Sequence, residues 1–168
     1  MNVILIGMPA SGKSCMGRAL SKTLKMKNID TDRLIEQKTG RLLQDIINTD
    51  GLDEFKRIEE DVLCNVNGDN LIISTGGSAV YYEKAMQHFK EIGIIVYLHA
   101  SLETITKRLG DFSKRGIALK KGQTIKDLYD ERCALYEKYA DITVNCDGNT
   151  YNRFRDEATK AIQGYKKT

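Results

Sequence analysis

The chain has one proline, Pro9, and no Pro- or Ser-rich stretch, internal repeat or low-complexity run divides its 168 residues. With no linker, the length fits a single domain over residues 1–168, enough for one core and too little for two comfortable ones. Cysteine is sparse and unpatterned. Cys15, Cys64, Cys133 and Cys146 show no C-x-x-C or other metal-ligand spacing, which argues against a cysteine-held metal or a disulfide framework and for free thiols in a reducing compartment. No apolar run approaches the length needed to cross a bilayer, so no membrane partner is expected. Met1 leads straight into the first apolar run with no room for a leader segment, and a cytoplasmic protein is the expectation. An excess of one charge is missing as well. The net charge is only +3 and dispersed, with no basic patch interleaved with aromatics, which disfavours a nucleic-acid partner.

Apolar runs are present at Val3 to Ile6, Leu71 to Ile73, Ile94 to Leu98 and Ile142 to Val144, with a shorter one ending at Ile29. Longer segments of helical periodicity separate them. That alternation predicts an α/β fold, and continuous apolar runs suit strands of a parallel sheet covered on both faces. In such sheets ligands gather at the C-terminal ends of strands, where Gly7 to Ser14, Asp30 to Asp32 and Thr75 to Ser78 are placed. A Thr124 and Asp127 pair predicts the cap of a helix running to about Tyr139.

The stretch Gly7-Met8-Pro9-Ala10-Ser11-Gly12-Lys13-Ser14 matches G-x-x-x-x-G-K-[ST] between an apolar run and a helix marked by Met16, Ala19, Leu20 and Leu24. In such a loop, backbone N–H groups and a helix N-terminus face one polyanion, Lys13 reaches the outer phosphates, and the Ser14 hydroxyl is placed to ligate Mg²⁺. Cys15, beside the loop, reads as a packing residue. Asp30 and Asp32 stand two apart; on extended chain both carboxylates project the same way, suited to Mg²⁺ and to a substrate hydroxyl, while Asp30 also suits a helix cap before Arg33 to Lys38. The Phe55 to Glu60 segment reads as an amphipathic helix whose charges form a solvated face. Gly76 and Gly77 suit either close approach of backbone to a ligand or a tight turn. Gly110, Gly116 and Gly122, with Lys114, Arg115, Lys120 and Lys121, punctuate residues 109–123 as a mobile basic lid or a solvated loop.

Together these stretches resemble the shikimate kinases. The matching motifs are Asp30-Thr31-Asp32-Arg33-Leu34-Ile35-Glu36, Phe55-Lys56-Arg57-Ile58-Glu59, Gly76-Gly77-Ser78, Arg115-Gly116-Ile117 and Arg132-Cys133-Ala134-Leu135-Tyr136, in family order across almost the whole chain. The resemblance implies a three-layer, nucleoside-monophosphate-kinase-like fold with a five-stranded parallel sheet, a mobile lid and substrate-binding helices over about 31–63. It implies ATP and Mg²⁺ as cofactors, shikimate as the small-molecule substrate, a place in aromatic amino-acid biosynthesis, and a monomer. By position, Lys13, Asp32 and Arg115 would be catalytic. Gly7, Met8, Pro9, Ala10, Ser11, Gly12, Lys13, Ser14, Cys15, Arg108 and Arg115 would meet the nucleotide, with Arg108 against adenine. Asp32, Lys56, Gly76, Gly77, Ser78 and Arg132 would bind the acceptor, and Ser14 and Asp30 the metal. Lys56, Ser78, Gly116 and Ala134 stand where the family has an arginine, a glycine and two prolines. The last two changes are expected to loosen the lid and the start of the next helix. Two other readings remain open: a kinase for a different small polyol or hydroxy acid, and a non-catalytic nucleotide-binding module.

Overall fold

A computed structural model describes residues 1–110, 117, 119–148 and 150–166. The elements run β1 (Asn2–Ile6), α1 (Lys13–Leu24), β2 (Lys27–Asp30), α2 (Thr31–Thr39), α3 (Leu43–Asp50), α4 (Leu52–Cys64), β3 (Leu71–Ser74), a 3-10 turn (Ala79–Tyr81), α5 (Glu83–Ile92), β4 (Gly93–His99), α6 (Leu102–Leu109), α7 (Ile125–Tyr139), β5 (Ile142–Asn145) and α8 (Tyr151–Gly164). The five strands form one parallel sheet in the order β2-β3-β1-β4-β5. Val3 pairs in register with Ile72 on one side and Ile94 on the other, which puts β1 at the centre.

Successive side chains of a strand face opposite ways, so one apolar run serves two cores. Val3 and Leu5 join Ile72, Ile94 and Val96 under Met16 and Leu20 of α1 and Phe154, Ala158 and Ile162 of α8. Ile4 and Ile6 join Ile73, Ile95 and Tyr97 beneath Leu63, Met86, Phe89 and Tyr136 on the other face. A smaller cluster of Ile35, Ile46, Phe55 and Val62 holds α2, α3 and α4 together beyond the β2 edge. The three-layer α/β fold expected from the sequence is the one observed. The chain leaves β1 toward β2 and later crosses back to β4, so the crevice where a ligand site forms in open sheets lies beyond Ile6.

Several local expectations hold and others change. Thr124 and Asp127 form a reciprocal capping box: each side chain accepts from the other's backbone N–H, at 3.1 and 2.9 Å. The helix after Asp30 begins at Thr31, earlier than Arg33, because Asp30 accepts from the N–H groups of Asp32 and Arg33 and so closes the first turn. Asp30 and Asp32 therefore do not project together from extended chain; one ends a strand and the other lies in a helix. Ala134 sits in the middle of α7 rather than near its start, where a proline would remove a hydrogen bond, so alanine keeps the helix continuous. Of the expected lid, Arg115 and Gly116 lie outside the described residues.

Helix α1 lies unusually close to the sheet. A Cβ on Gly17 would run into the Ser74 hydroxyl and sit 2.8 Å from the Asn28 side-chain oxygen. Gly17→Val is therefore expected to lower stability by about 1–3 kcal/mol, read as a shift in urea midpoint, whereas Ala19→Val on the outer part of the same helix changes it by only a few tenths.

Candidate functional site

The loop after β1 is built from backbone conformations that favour glycine. Gly7 and Gly12 have φ of 151° and 97°, and Ala10 adopts the left-handed region at 63°. A Cβ on Gly7 would also lie 2.7 Å from the Leu98 carbonyl oxygen. The loop folds back through a Ser11 N–H to Met8 carbonyl bond of 3.1 Å and delivers α1 with its N-terminus at Lys13. Met8 contributes its backbone here, since its side chain is buried in the core. The buried Ser11 hydroxyl has no hydrogen-bond partner among the described residues.

Lys13 Nζ donates to the Gly7 and Met8 carbonyls, both at 2.8 Å, and its third N–H remains for an anion. Burial lowers its pKa to about 8; Arg132 pushes the same way, while Asp32 and Asp30 oppose. Ser14 Oγ donates to Asp30 Oδ2 at 3.0 Å, and the other Asp30 oxygen caps α2. Of the two roles its position suggested, Asp30 fills the cap, and its second oxygen lies beside the Ser14 hydroxyl. A hydroxyl and a carboxylate oxygen side by side are hard donors of the kind Mg²⁺ takes alongside phosphate oxygens and water, so this pair fits that ion.

Asp32, in the first turn of α2, has its pKa raised to about 6. Burial is the main cause, with Asp30 and Glu36 adding and Lys13 opposing. Gly76 is glycine for a reason of space: a Cβ there would be 3.1 Å from Asp32 Oδ1 and 3.5 Å from Glu59 Oε1. At Gly77 it would meet Pro9 at 2.8 Å and Arg132 Nη1 at 2.9 Å. The turn is tight, and side chains of the chain itself crowd it.

Glu59 was read as part of a solvated face, and the structure corrects that. It is 2% exposed and accepts from Ser78 Oγ at 2.8 and 3.0 Å and from the Tyr82 hydroxyl at 3.1 Å. The signal was its spacing of four from Phe55, which puts it on the inward stripe of α4. Burial raises its pKa to about 7, with Ser78 the chief opposing influence. Arg57, by contrast, is exposed and pairs with Glu54 at 2.6 Å.

Arg132 of α7 is 6% exposed, and among the described residues no carboxylate lies within ion-pair distance of it. Its guanidinium carbon lies 5.4 Å from the centre of the Tyr81 ring, and Nε donates to the Tyr81 hydroxyl at 3.4 Å. One turn further along, the Tyr136 hydroxyl donates to the Gly77 carbonyl at 2.6 Å. Tyr81 and Tyr82 carried no sequence signal, because their roles arise from contacts across the fold.

A cleft of about 1130 Å³ brings together Lys13, Ser14, Asp32, Lys56, Glu59, Gly76, Gly77, Ser78 and Arg132, with Pro9, Ala10, Gly12 and Cys15 at the loop end. Lys56 is on its exposed rim. Ile117, Leu119, Lys120 and Gln123, from the expected lid, also line it. Arg108 stands at the loop end, donating to the Ala10 carbonyl at 3.3 Å and the Cys146 carbonyl at 2.9 Å. Cys15 is exposed rather than packed, because the first turn of α1 faces outward there; its carbonyl accepts from the Tyr151 hydroxyl at 2.9 Å. Arg115 lies outside the described residues.

The family model for shikimate kinase matches residues 9–163. A shikimate kinase of Clostridium botulinum strain Okra is 37% identical, with 99% of this chain and 96% of that one covered. The structure of the Acinetobacter baumannii shikimate kinase in complex with shikimate superposes with a TM-score of 0.83 at 29% identity, over 96% of this chain and 90% of that one. The Aquifex aeolicus shikimate kinase gives 0.82 at 28% identity, over 98% and 97%.

Because burial holds Glu59 protonated to a higher pH in the fold than in the unfolded chain, its contribution to stability is complete below pH 4.5 and is lost as pH rises to about 7. Asp32 acts in the same sense up to about 6. Urea unfolding without magnesium or nucleotide should show stability falling across that window, with Glu59 accounting for roughly 2–3 kcal/mol. Glu59→Gln should flatten the fall; parallel curves for the two proteins would contradict the assignment.

Proposed function

The chain belongs to the shikimate kinase family, and on that premise we propose that it transfers the γ-phosphoryl group of ATP to a ring hydroxyl of shikimate, a step of aromatic amino-acid biosynthesis. The observation that carries this reading is the polarity of the cleft. Asp32 and Glu59 form an acidic wall, and on the other side of the glycine turn the buried guanidinium of Arg132 lacks a carboxylate partner among the described residues. An acceptor with hydroxyls at one end and a carboxylate at the other satisfies both walls, and a carboxylate on Arg132 gains a planar paired hold.

In the proposed mechanism the loop from Gly7 to Ser14 and the N-terminus of α1 bind the β- and γ-phosphates, and Lys13 neutralises charge on the outer oxygens. Cys15 adds its N–H at the same helix end, and Arg108 lies against the adenine. Ser14 and Asp30 would hold Mg²⁺, which would supply positive charge to offset that of the phosphates. Asp32 accepts the proton of the acceptor hydroxyl. That oxygen bonds to the γ-phosphorus, and the bond to the β–γ bridging oxygen breaks, leaving ADP. The raised pKa of Asp32 brings it nearer to working pH, which favours proton acceptance over a fully solvated carboxylate. Lys56, Gly76, Gly77 and Ser78 complete the acceptor site with Arg132. Arg115 supplies a further cation to the transferring group. The free thiols suit the cytoplasm.

Coupled ADP release tests this directly. With millimolar shikimate the protein should turn over ATP, and a panel of other hydroxylated acids should be poorer acceptors. Preference for another acid would name a different acceptor, and tight ATP binding without transfer to any compound would point to a nucleotide-binding module. Asp32→Asn should lower kcat by at least about a hundredfold, with the Kd for ATP changed less than about threefold; retained turnover would remove Asp32 as base.

A further inference from the structure

Resting on that reading, we propose that Tyr81 is a positioning residue for the acceptor carboxylate: it holds the Arg132 guanidinium across its ring so that the fork of that side chain stays turned toward the glycine turn. Tyr81 belongs to none of the matching motifs and is 40% exposed, on the wall of the cleft, where a bare phenol gains little from burial. What it does have is Arg132: ring face and hydroxyl both engage that guanidinium, at 5.4 and 3.4 Å.

The geometry explains why such a support is needed. Arg132 is buried with no carboxylate partner among the described residues, and an arginine side chain has several rotatable bonds that burial alone does not fix. An aromatic face stabilises the cation and sets the plane of its fork, which leaves its outer N–H groups to meet a carboxylate squarely. Arg132 Nη1 already lies close beside Gly77, so the ring and the glycine turn confine the guanidinium from two directions. The support also matters more in this chain than the motif alone suggests. Lys56 carries a point charge where a second planar fork would otherwise share the carboxylate, so orientation rests more heavily on Arg132.

The test compares wild type, Tyr81→Phe and Tyr81→Leu, each first checked for an unchanged melting temperature and unchanged KM for ATP. Tyr81→Leu should raise the KM for shikimate by roughly tenfold while kcat changes less than about twofold. Tyr81→Phe, which keeps the ring, should recover most of that loss. A structural role would not move the second readout. The preference of wild type for shikimate over its methyl ester should shrink severalfold in Tyr81→Leu, because a misaligned guanidinium no longer distinguishes the carboxylate. Wild-type turnover with an unchanged KM and ester preference in Tyr81→Leu overturns this inference and leaves the kinase reading intact. An equal loss in Tyr81→Phe and Tyr81→Leu overturns the ring-support role. Wild type inert with shikimate overturns the kinase reading and this inference with it.

Discussion

A lysine ammonium buried against two carbonyl oxygens organises the cleft. Lys13 is held by Gly7 and Met8 at the mouth of the central strand, and burial lowers its pKa to about 8. A cation so placed requires oxygen around it, and the fold supplies that from three directions. The loop contributes bonded carbonyls, while Asp30 at the end of β2 and Asp32 at the start of α2 act through their charge. The same demand for negative charge makes the spot a receptor for phosphate.

The second constraint is space at the glycine turn. A Cβ on Gly77 would overlap Pro9 and Arg132, and one on Gly76 would press on Asp32. The loop after β1, the carboxylates of Asp32 and Glu59, and Arg132 thereby meet around one short piece of backbone. Ser78, where the family pattern has a third glycine, adds its hydroxyl outside that crowded line and spends it on Glu59.

Much of this could be read from the sequence, for identifiable reasons. The loop from Gly7 to Ser14 is a local motif, its geometry set by glycines, so its place between β1 and α1 could be read from spacing alone. The parallel sheet followed from continuous apolar runs, which serve two cores at once. Asp30 was legible as a cap, and it closes the first turn of α2. What was missed depends on contacts between distant segments. Glu59 looked solvated in a run of charges, although its spacing from Phe55 turns it inward. Cys15 looked like a packing residue, and nothing within its own segment shows that the first turn of α1 faces outward there. Tyr81 and Tyr82 acquire meaning only when α7 and α4 arrive from elsewhere in the chain.

Two of those contacts share a spacing. Arg132 and Tyr136 are four apart on α7, and their partners Tyr81 and Gly77 are four apart across the turn. The helix therefore meshes with the turn at two teeth rather than one, like a gear on a short rack. It cannot spin about its own axis or slide by a fraction of a residue without disengaging both. A displacement of its capped end at Thr124 therefore pulls on Tyr81 and Gly77 together.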